Sequence, residues 1–245
     1  MNISWYGETC FRINSSRNKN HLVNILIDPF EKESGLRVPK IEADILLITE
    51  KDKKALSGDF FFIKDPGEYD IKEAYIEGIS GFENGGKKIE SYENDEDDED
   101  DKEDDDGKTQ EGNEKDDDDS KKACEKTVIY TIETEGLKIC HLGKLRQKEL
   151  TSEQVEKIGK VDILMLPIGG EETLNAKEAT KIMSQIEPKI IIPMYYKIPG
   201  LKKKLDSLDE FLKSIGVKSL EPLAKLTVKS KDIVAEQAKI IVLKP

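Results

Sequence analysis

The sequence predicts an α/β (α+β) chain in which sheets pack between helices, and three observations carry that prediction. Short runs rich in Ile, Leu and Val dominate the first part of the chain. Strand-like and helix-like segments alternate in the last part. A dense acidic tract falls between two strand-like runs and not between two blocks of different character. Strands followed by strand–helix–strand units fit sheets with helices packed on them.

The strands come first. Residues 2–6, 10–14, 23–28 and 44–49 are short and apolar, and Gly, Pro, Asn or charged turns separate them. Residues 60–63 and 74–79 continue the series, with Pro66-Gly67 as the turn signal between them. Residues 127–133 and 137–141 resume it after the acidic tract. Thr151 or Ser152 then caps a short helix ending near Gly159, and 161–167 is a buried strand. Asn175 caps a helix running to Ile186, with Ala176, Ala179, Ile182, Met183 and Ile186 at helical spacing. Residues 189–194 form another strand. Residues 205–215 form an amphipathic helix with Leu208, Phe211, Leu212 and Ile215 on one side and Gly216 just past its end. Val228 and residues 240–243 close the chain as strands.

The acidic tract spans 90–122. Residues 90–119 hold 19 Asp or Glu against 3 Lys, a net −16, so the remaining residues carry +4 of the chain's −12. So dense a run of like charge, with few apolar residues, cannot offset the entropy of ordering and predicts a disordered insertion. It interrupts one domain, 1–245, and does not link two. Cys10, Cys124 and Cys140 are an odd number without metal-type spacing, and Cys10 and Cys140 lie in apolar runs as core residues. No run approaches the length of a membrane span, and the N-terminus lacks the pattern of a secretion signal, so a cytoplasmic location is expected.

Six segments, in order, carry a resemblance. They are Trp5-Tyr6-Gly7-Glu8-Thr9-Cys10-Phe11, Ile25-Leu26-Ile27-Asp28-Pro29-Phe30, Pro66-Gly67-Glu68-Tyr69-Asp70-Ile71, His141-Leu142-Gly143-Lys144-Leu145, Leu166-Pro167-Ile168-Gly169-Gly170 and Ile192-Pro193-Met194-Tyr195-Tyr196. Together they resemble the metallo-β-lactamase-fold hydrolases, in the branch that holds lactonase-like and uncharacterised zinc-dependent hydrolases. The resemblance covers nearly the whole chain outside the insertion. It implies a four-layer αββα sandwich of the metallo-β-lactamase type and a zinc site whose bound water acts as hydroxide near neutral pH.

The same resemblance implies that the ligands of that site are lost. Where the family places His-x-His-x-Asp-His, this chain has Glu50, Asp52, Lys54 and Ala55. A further ligand histidine aligns with Glu83, the aspartate of H-L-G-D with Lys144, and the histidine of I-P-M-H-Y with Tyr195. His141 sits beside the missing aspartate. The chain has only 2 His, His21 in a polar loop and His141, too few for a dinuclear zinc site. The expected remnant pocket is therefore Glu50, Asp52, Lys54, Ala55, Glu83, His141, Lys144 and Tyr195, with no catalytic residue, no metal and no cofactor. Lysine ammonium groups there would neutralise the carboxylates, and the opposing reading leaves Lys54 and Lys144 in solvent.

Two functions follow as expectations. One is a non-catalytic relative that keeps the fold as a binding or scaffold module. The other is an active hydrolase using a carboxylate-bound, non-zinc divalent metal or a metal-free lysine/tyrosine site. The acidic tract could attract a basic partner. Nucleic acid is not expected as a partner, because no basic stripe with aromatics appears, and Lys202-Lys203-Lys204 reads as solvated surface.

Overall fold

The computed structural model describes residues 1–18, 21–50, 56–82, 126–233 and 238–245. The acidic insertion and the positions Asp52, Lys54, Ala55, Glu83 and Cys124 lie outside them. In chain order the elements before the insertion are β1 (Asn2–Gly7), β2 (Cys10–Asn18), β3 (His21–Ile27), β4 (Ile45–Leu47), β5 (Phe61–Ile63), β6 (Gly67–Ile71) and β7 (Ala74–Phe82). After it come β8 (Lys126–Thr134), β9 (Leu137–His141), α1 (Ser152–Ile158), β10 (Ile163–Pro167) and α2 (Ala176–Ile186). The chain closes with β11 (Ile190–Met194), α3 (Leu208–Ser214), β12 (Leu226–Thr227) and β13 (Lys239–Ile240).

Among the described residues these strands make two mixed sheets, ordered β12-β1-β2-β3-β4-β5 and β13-β11-β10-β9-β8-β7-β6. β1 to β3 pair antiparallel and β3 to β5 parallel. In the second sheet β6 to β9 pair antiparallel, while β9, β10, β11 and β13 run parallel. The result is the expected two-sheet α/β sandwich.

Alternation places the core. β1 buries every second residue, so Ile3 and Trp5 face inward with Phe11 and Ile13 of β2. They pack against Ile76, Ile129, Ile139 and Met165 of the second sheet. β4, flanked by parallel neighbours, is buried on both faces, and β3 is so only at its Ile25–Ile27 end. Their outer residues Leu26 and Leu46 join Cys10, Phe30 and Ile48 in a second cluster, against which Leu36 and Ala43 pack. The helices lie on the other sheet, α1 against β7 and α2 against β10. Both begin in reciprocal capping boxes, Thr151 with Gln154 and Asn175 with Glu178. α2 buries Ala179, Ile182 and Ile186, and full burial of a side chain such as Ile182 stabilises by roughly 1.5–3 kcal/mol.

Four details differ from the sequence reading. Pro66 lies in the bend after β5, but Gly67 opens a further strand, β6, which pairs with β7. The turn into β7 is Lys72–Glu73, both left-handed at φ 52° and 64°. β6 was not read because its alternation, exposed Glu68 and Asp70 against half-buried Tyr69 and Ile71, is only two repeats long. α3 starts at Leu208, with Ser207 at its N-cap position, and not at residue 205. His21 opens β3 and is not in a loop. Finally, β13 ends at Ile240, so the predicted closing strand is shorter and shifted.

Tyr130 on β8 ties the sheets together. Its hydroxyl, fully buried, lies 3.0 Å from the Ile48 carbonyl and 3.3 Å from the Ile63 carbonyl. Burial, with the Asp28 charge adding to it, raises the Tyr130 pKa, so the phenol stays a donor. Tyr130→Phe leaves the Ile48 carbonyl without that donor and is expected to cost roughly 1–3 kcal/mol in urea denaturation. A midpoint equal to that of the parent chain would show that the hydroxyl does not couple the sheets.

Candidate active site

The site is built where the first sheet hands the chain to the second. Thr49 follows β4, and its carbonyl accepts from Val128 N at 2.9 Å and from Thr127 Oγ1 at 3.1 Å. Glu50 then bridges to Thr127 on β8, which turns its carboxylate toward the end of β9. There His141, Leu142 and Gly143 lead to Lys144. Gly143 is left-handed at φ 56°, and a Cβ on it would stand 2.7 Å from Thr49 Cβ. Only glycine lets this turn close on Thr49. Lys144 Nζ then reaches Glu50 Oε1 at 2.8 Å, with side-chain exposures of 15% and 24%.

The β1–β2 turn forms the opposite wall. The Glu8 carbonyl accepts from Trp5 Nε1 at 3.0 Å and from Tyr195 N at 3.1 Å. The Thr9 carbonyl accepts from His141 Nε2 at 2.9 Å. Trp5, Gly7 and Phe11 pack this turn in place: the ring of Phe11 meets His141 edge-on, and a Cβ on Gly7 would strike Leu36 at 2.4 Å. Glu8 is held so that its carboxylate meets Lys203 Nζ at 3.0 Å.

Tyr195 lies between the two lysines. It follows β11 with a left-handed backbone at φ 52° and is fully buried. Lys144 Nζ lies 5.5 Å and Lys203 Nζ 5.0 Å from its ring centroid. Its hydroxyl donates to Glu172 and accepts from Lys203 Nζ at 2.9 Å. Burial, then the bond to Glu172 and the charges of Glu172, Glu8 and Glu50, push its pKa far up. The phenol is protonated at neutral pH and cannot serve as a base there. Gly169 makes room for this arrangement, since a Cβ there would meet the Tyr195 carbonyl at 2.1 Å.

The network opens on a cleft of about 810 Å³, with Glu8, Glu50, Lys144 and Lys203 along one side and Phe30, Val38, Ile41 and Leu56 along another. Of the sequence-predicted positions, Glu50, Lys144 and Tyr195 come together here. His141 does not enter the cleft. It is fully buried beneath, with Nε2 donating to Thr9 and Nδ1 accepting from Gly143 N at 3.1 Å. That pattern fixes a neutral tautomer and leaves no lone pair for a metal. Burial lowers its pKa below the ordinary 6.5, against the opposing charge of Asp28.

Glu8, Glu172 and Lys203 were missed from the sequence. Lys203 belongs to the run read as solvated surface, and that reading is corrected. Lys204 is exposed, but Lys203 turns inward because the next residues dock on Gly169, with Asp206 N donating to its carbonyl at 2.9 Å. No signal in the run marks which of the three lysines turns inward.

Among the described residues, the donors at this site do not fit a zinc set. Zinc takes deprotonated thiolate, neutral imidazole or carboxylate in a tight shell. Among the described residues, no three His, Cys, Asp or Glu side chains are grouped to hold a metal ion. The carboxylates of Glu8, Glu50 and Glu172 are bonded to Lys203, Lys144 and Tyr195. Cys10 and Cys140 are buried away as expected, and burial pushes the Cys140 thiol up to about 12.

A family model described as the Beta-lactamase superfamily domain matches residues 2–195. A UPF0173 metal-dependent hydrolase of Thermococcus onnurineus is 26% identical over 260 residues, covering 100% of this chain and 97% of the relative. A UPF0173 protein of Pyrococcus abyssi is 28% identical over 199 residues, covering 80% of this chain and 83% of the relative. Among solved structures, a Thermotoga maritima protein described as a Zn-dependent hydrolase of the metallo-β-lactamase superfamily aligns with a TM-score of 0.68 and 27% identity, covering 100% of both chains. These relatives correct the expectation that no cofactor is involved. Relatives matched over their full length are named metal-dependent hydrolases, which points to a metal as the cofactor. The expectation rested on single-residue correspondences at the ligand positions, and four of those positions lie outside the described residues.

Two measurements probe this site. Removing a cation from the half-buried network strands a carboxylate, between the roughly 0–1 kcal/mol of an exposed pair and the roughly 3–5 kcal/mol of a buried one. Lys144→Ala and Lys203→Ala should each lower the melting temperature, and Lys202→Ala should not. Equal melting for all three would put both lysines in solvent. His141 supplies a pH test. Its folded pKa lies below the unfolded value, so its contribution is complete above about 6.5 and is lost as pH falls from there toward the lowered value. Between about pH 7.5 and about pH 5 the parent chain should lose more unfolding free energy than His141→Gln, and parallel losses would assign the pH dependence elsewhere.

Proposed function

The chain belongs to the Beta-lactamase superfamily domain family, and from that membership we propose a binding or scaffold relative in which zinc-ligand positions, and hydrolytic turnover with them, have been lost. One observation supports this reading above the others. Lys144, at the position of the family aspartate, stands 2.8 Å from Glu50, at the position of a family histidine. A protonated amine offers donors and no lone pair, and its charge opposes a divalent cation at the same place. The Tyr195 phenol, held protonated by burial, is unsuited to replace the lost base. The cleft of about 810 Å³ remains large enough for a small molecule. The reading concerns turnover at these residues and leaves the family's metal as the cofactor its relatives' names give.

Those names favour a second reading, an active metal-dependent hydrolase in which carboxylates such as Glu50 hold a hard divalent cation. One assay separates the two. The purified chain is offered chromogenic lactone, thioester and phosphodiester substrates with Zn²⁺, Mn²⁺ or Mg²⁺ added. The binding reading expects no turnover above that of Glu50→Gln with any metal. Saturable turnover that disappears in Glu50→Gln would reject it and establish the hydrolase.

A further inference from the structure

A second concave site lies outside the network just described. It is a cavity of about 570 Å³ whose lining includes Arg12, Arg37 and Lys40, with Tyr6, Leu36 and Pro199 as apolar wall. None of Glu8, Glu50, Lys144 or Lys203 reaches it. Val38 lines both this cavity and the cleft, so the two adjoin across the strap of residues 36–41.

The electrostatics of this cavity are unbalanced. Arg12, Arg37 and Lys40 supply three cations, and no Asp or Glu side chain lines the cavity. Pro245 also lines it, and even with a terminal carboxylate there the cations remain in excess. Among the described residues none of the three forms an ion pair, in a chain whose formal charge is −12. Elsewhere in this protein half-exposed lysines find carboxylates, as Lys72 does at Asp44 and Lys189 at Asp162. Here like charges are gathered without that compensation.

Arg12 is also held in place as a receptor would be. Its guanidinium lies 5.5 Å from the Tyr6 ring centroid, and Nη2 donates to the Lys40 carbonyl at 2.6 Å. Only that one acceptor engages it among the described residues, and its Nε is sealed from solvent without a partner. A guanidinium carries five donors in a planar fork suited to the oxygens of phosphate. A fixed fork loses little freedom on binding, and the exposed Arg37 and Lys40 can close on an anion from the rim.

We propose that this cavity is an anion site that takes a phosphate monoester on a small apolar body. The charge selects the phosphate, and the wall of Tyr6, Leu36 and Pro199 selects the body over free phosphate. The site is independent of whether the adjoining cleft hydrolyses or only binds.

Isothermal titration of the full chain with phenyl phosphate and with inorganic phosphate tests it. The charge-reversed pair Arg37→Glu/Lys40→Glu changes two exposed side chains and should not disturb folding. Lys218→Glu/Lys231→Glu makes the same charge change on exposed residues away from the cavity. The expected result is one-site binding of phenyl phosphate, tighter than inorganic phosphate. It should weaken at least about tenfold in the first variant and stay within about twofold in the second. Absence of saturable binding, inorganic phosphate binding as tightly as phenyl phosphate, a first variant that binds normally, or equal weakening in both variants would each overturn the proposal.

Discussion

The candidate site hangs on one buried carboxylate. Asp28, 1% exposed, turns the chain after β3 with a left-handed backbone at φ 46°. Its two oxygens accept from Thr49 N at 2.7 Å and Thr49 Oγ1 at 2.6 Å. A carboxylate removed from water is tolerable only with such donors. The consequence is that Thr49 cannot move. Its carbonyl anchors β8 through Val128 and Thr127, its side chain fixes how closely Gly143 packs, and the next residue is Glu50. The two partners of the Lys144–Glu50 pair thus reach each other through a residue that neither contacts by its charge. Loss of the Asp28 bonds would release both partners of that pair at once.

The fold was largely legible because its buried strands are apolar and α1 and α2 start at side-chain caps. The Asn175 box and the spacing of Ala179, Ile182 and Ile186 gave α2 nearly to the residue. β6 failed the same reading because it is a short edge strand whose inner face, Tyr69 and Ile71, is only half-buried, so its alternation is brief. The site was legible in part. Glu50, Lys144 and Tyr195 sit in motif positions whose backbones are fixed by glycines and bulky neighbours, so motif order located them. Glu8 lies inside a motif as well, but its role depends on a carboxylate direction that no spacing reveals. Lys203 was misjudged because a run of three lysines carries no sign of which one turns inward; the docking of Leu205 and Asp206 on Gly169 decides that.

His141 shows how a motif residue can be essential to a site without belonging to its chemistry. Neighbouring a ligand position in sequence, it is buried under the site and bonded at both nitrogens. It connects the β9 end to the β1–β2 turn, which brings Glu8 within reach of Lys203 and sets the Tyr195 backbone. A neutral, doubly bonded imidazole suits that task because either charged form or a flipped ring would leave a buried backbone group unmatched.

The charges of the network come from five separate stretches of chain, which bears on how such a site can change without the fold failing. Glu8 stands on the β1–β2 turn, Glu50 after β4, Lys144 after β9, Glu172 between β10 and α2, and Lys203 before α3. Each is held by backbone bonds of its own segment, so exchanging one side chain alters the charge balance without unseating the others. Among the described residues, three carboxylates face two ammonium groups around one neutral phenol. A divalent cation entering this region would have to compete with ammonium groups already bonded to the carboxylates it needs. The cost of that competition falls as the lysines swing outward into solvent, which their partial exposure permits. The network's stability and the affinity of any cation at these carboxylates are therefore opposed quantities, linked through the same two lysines.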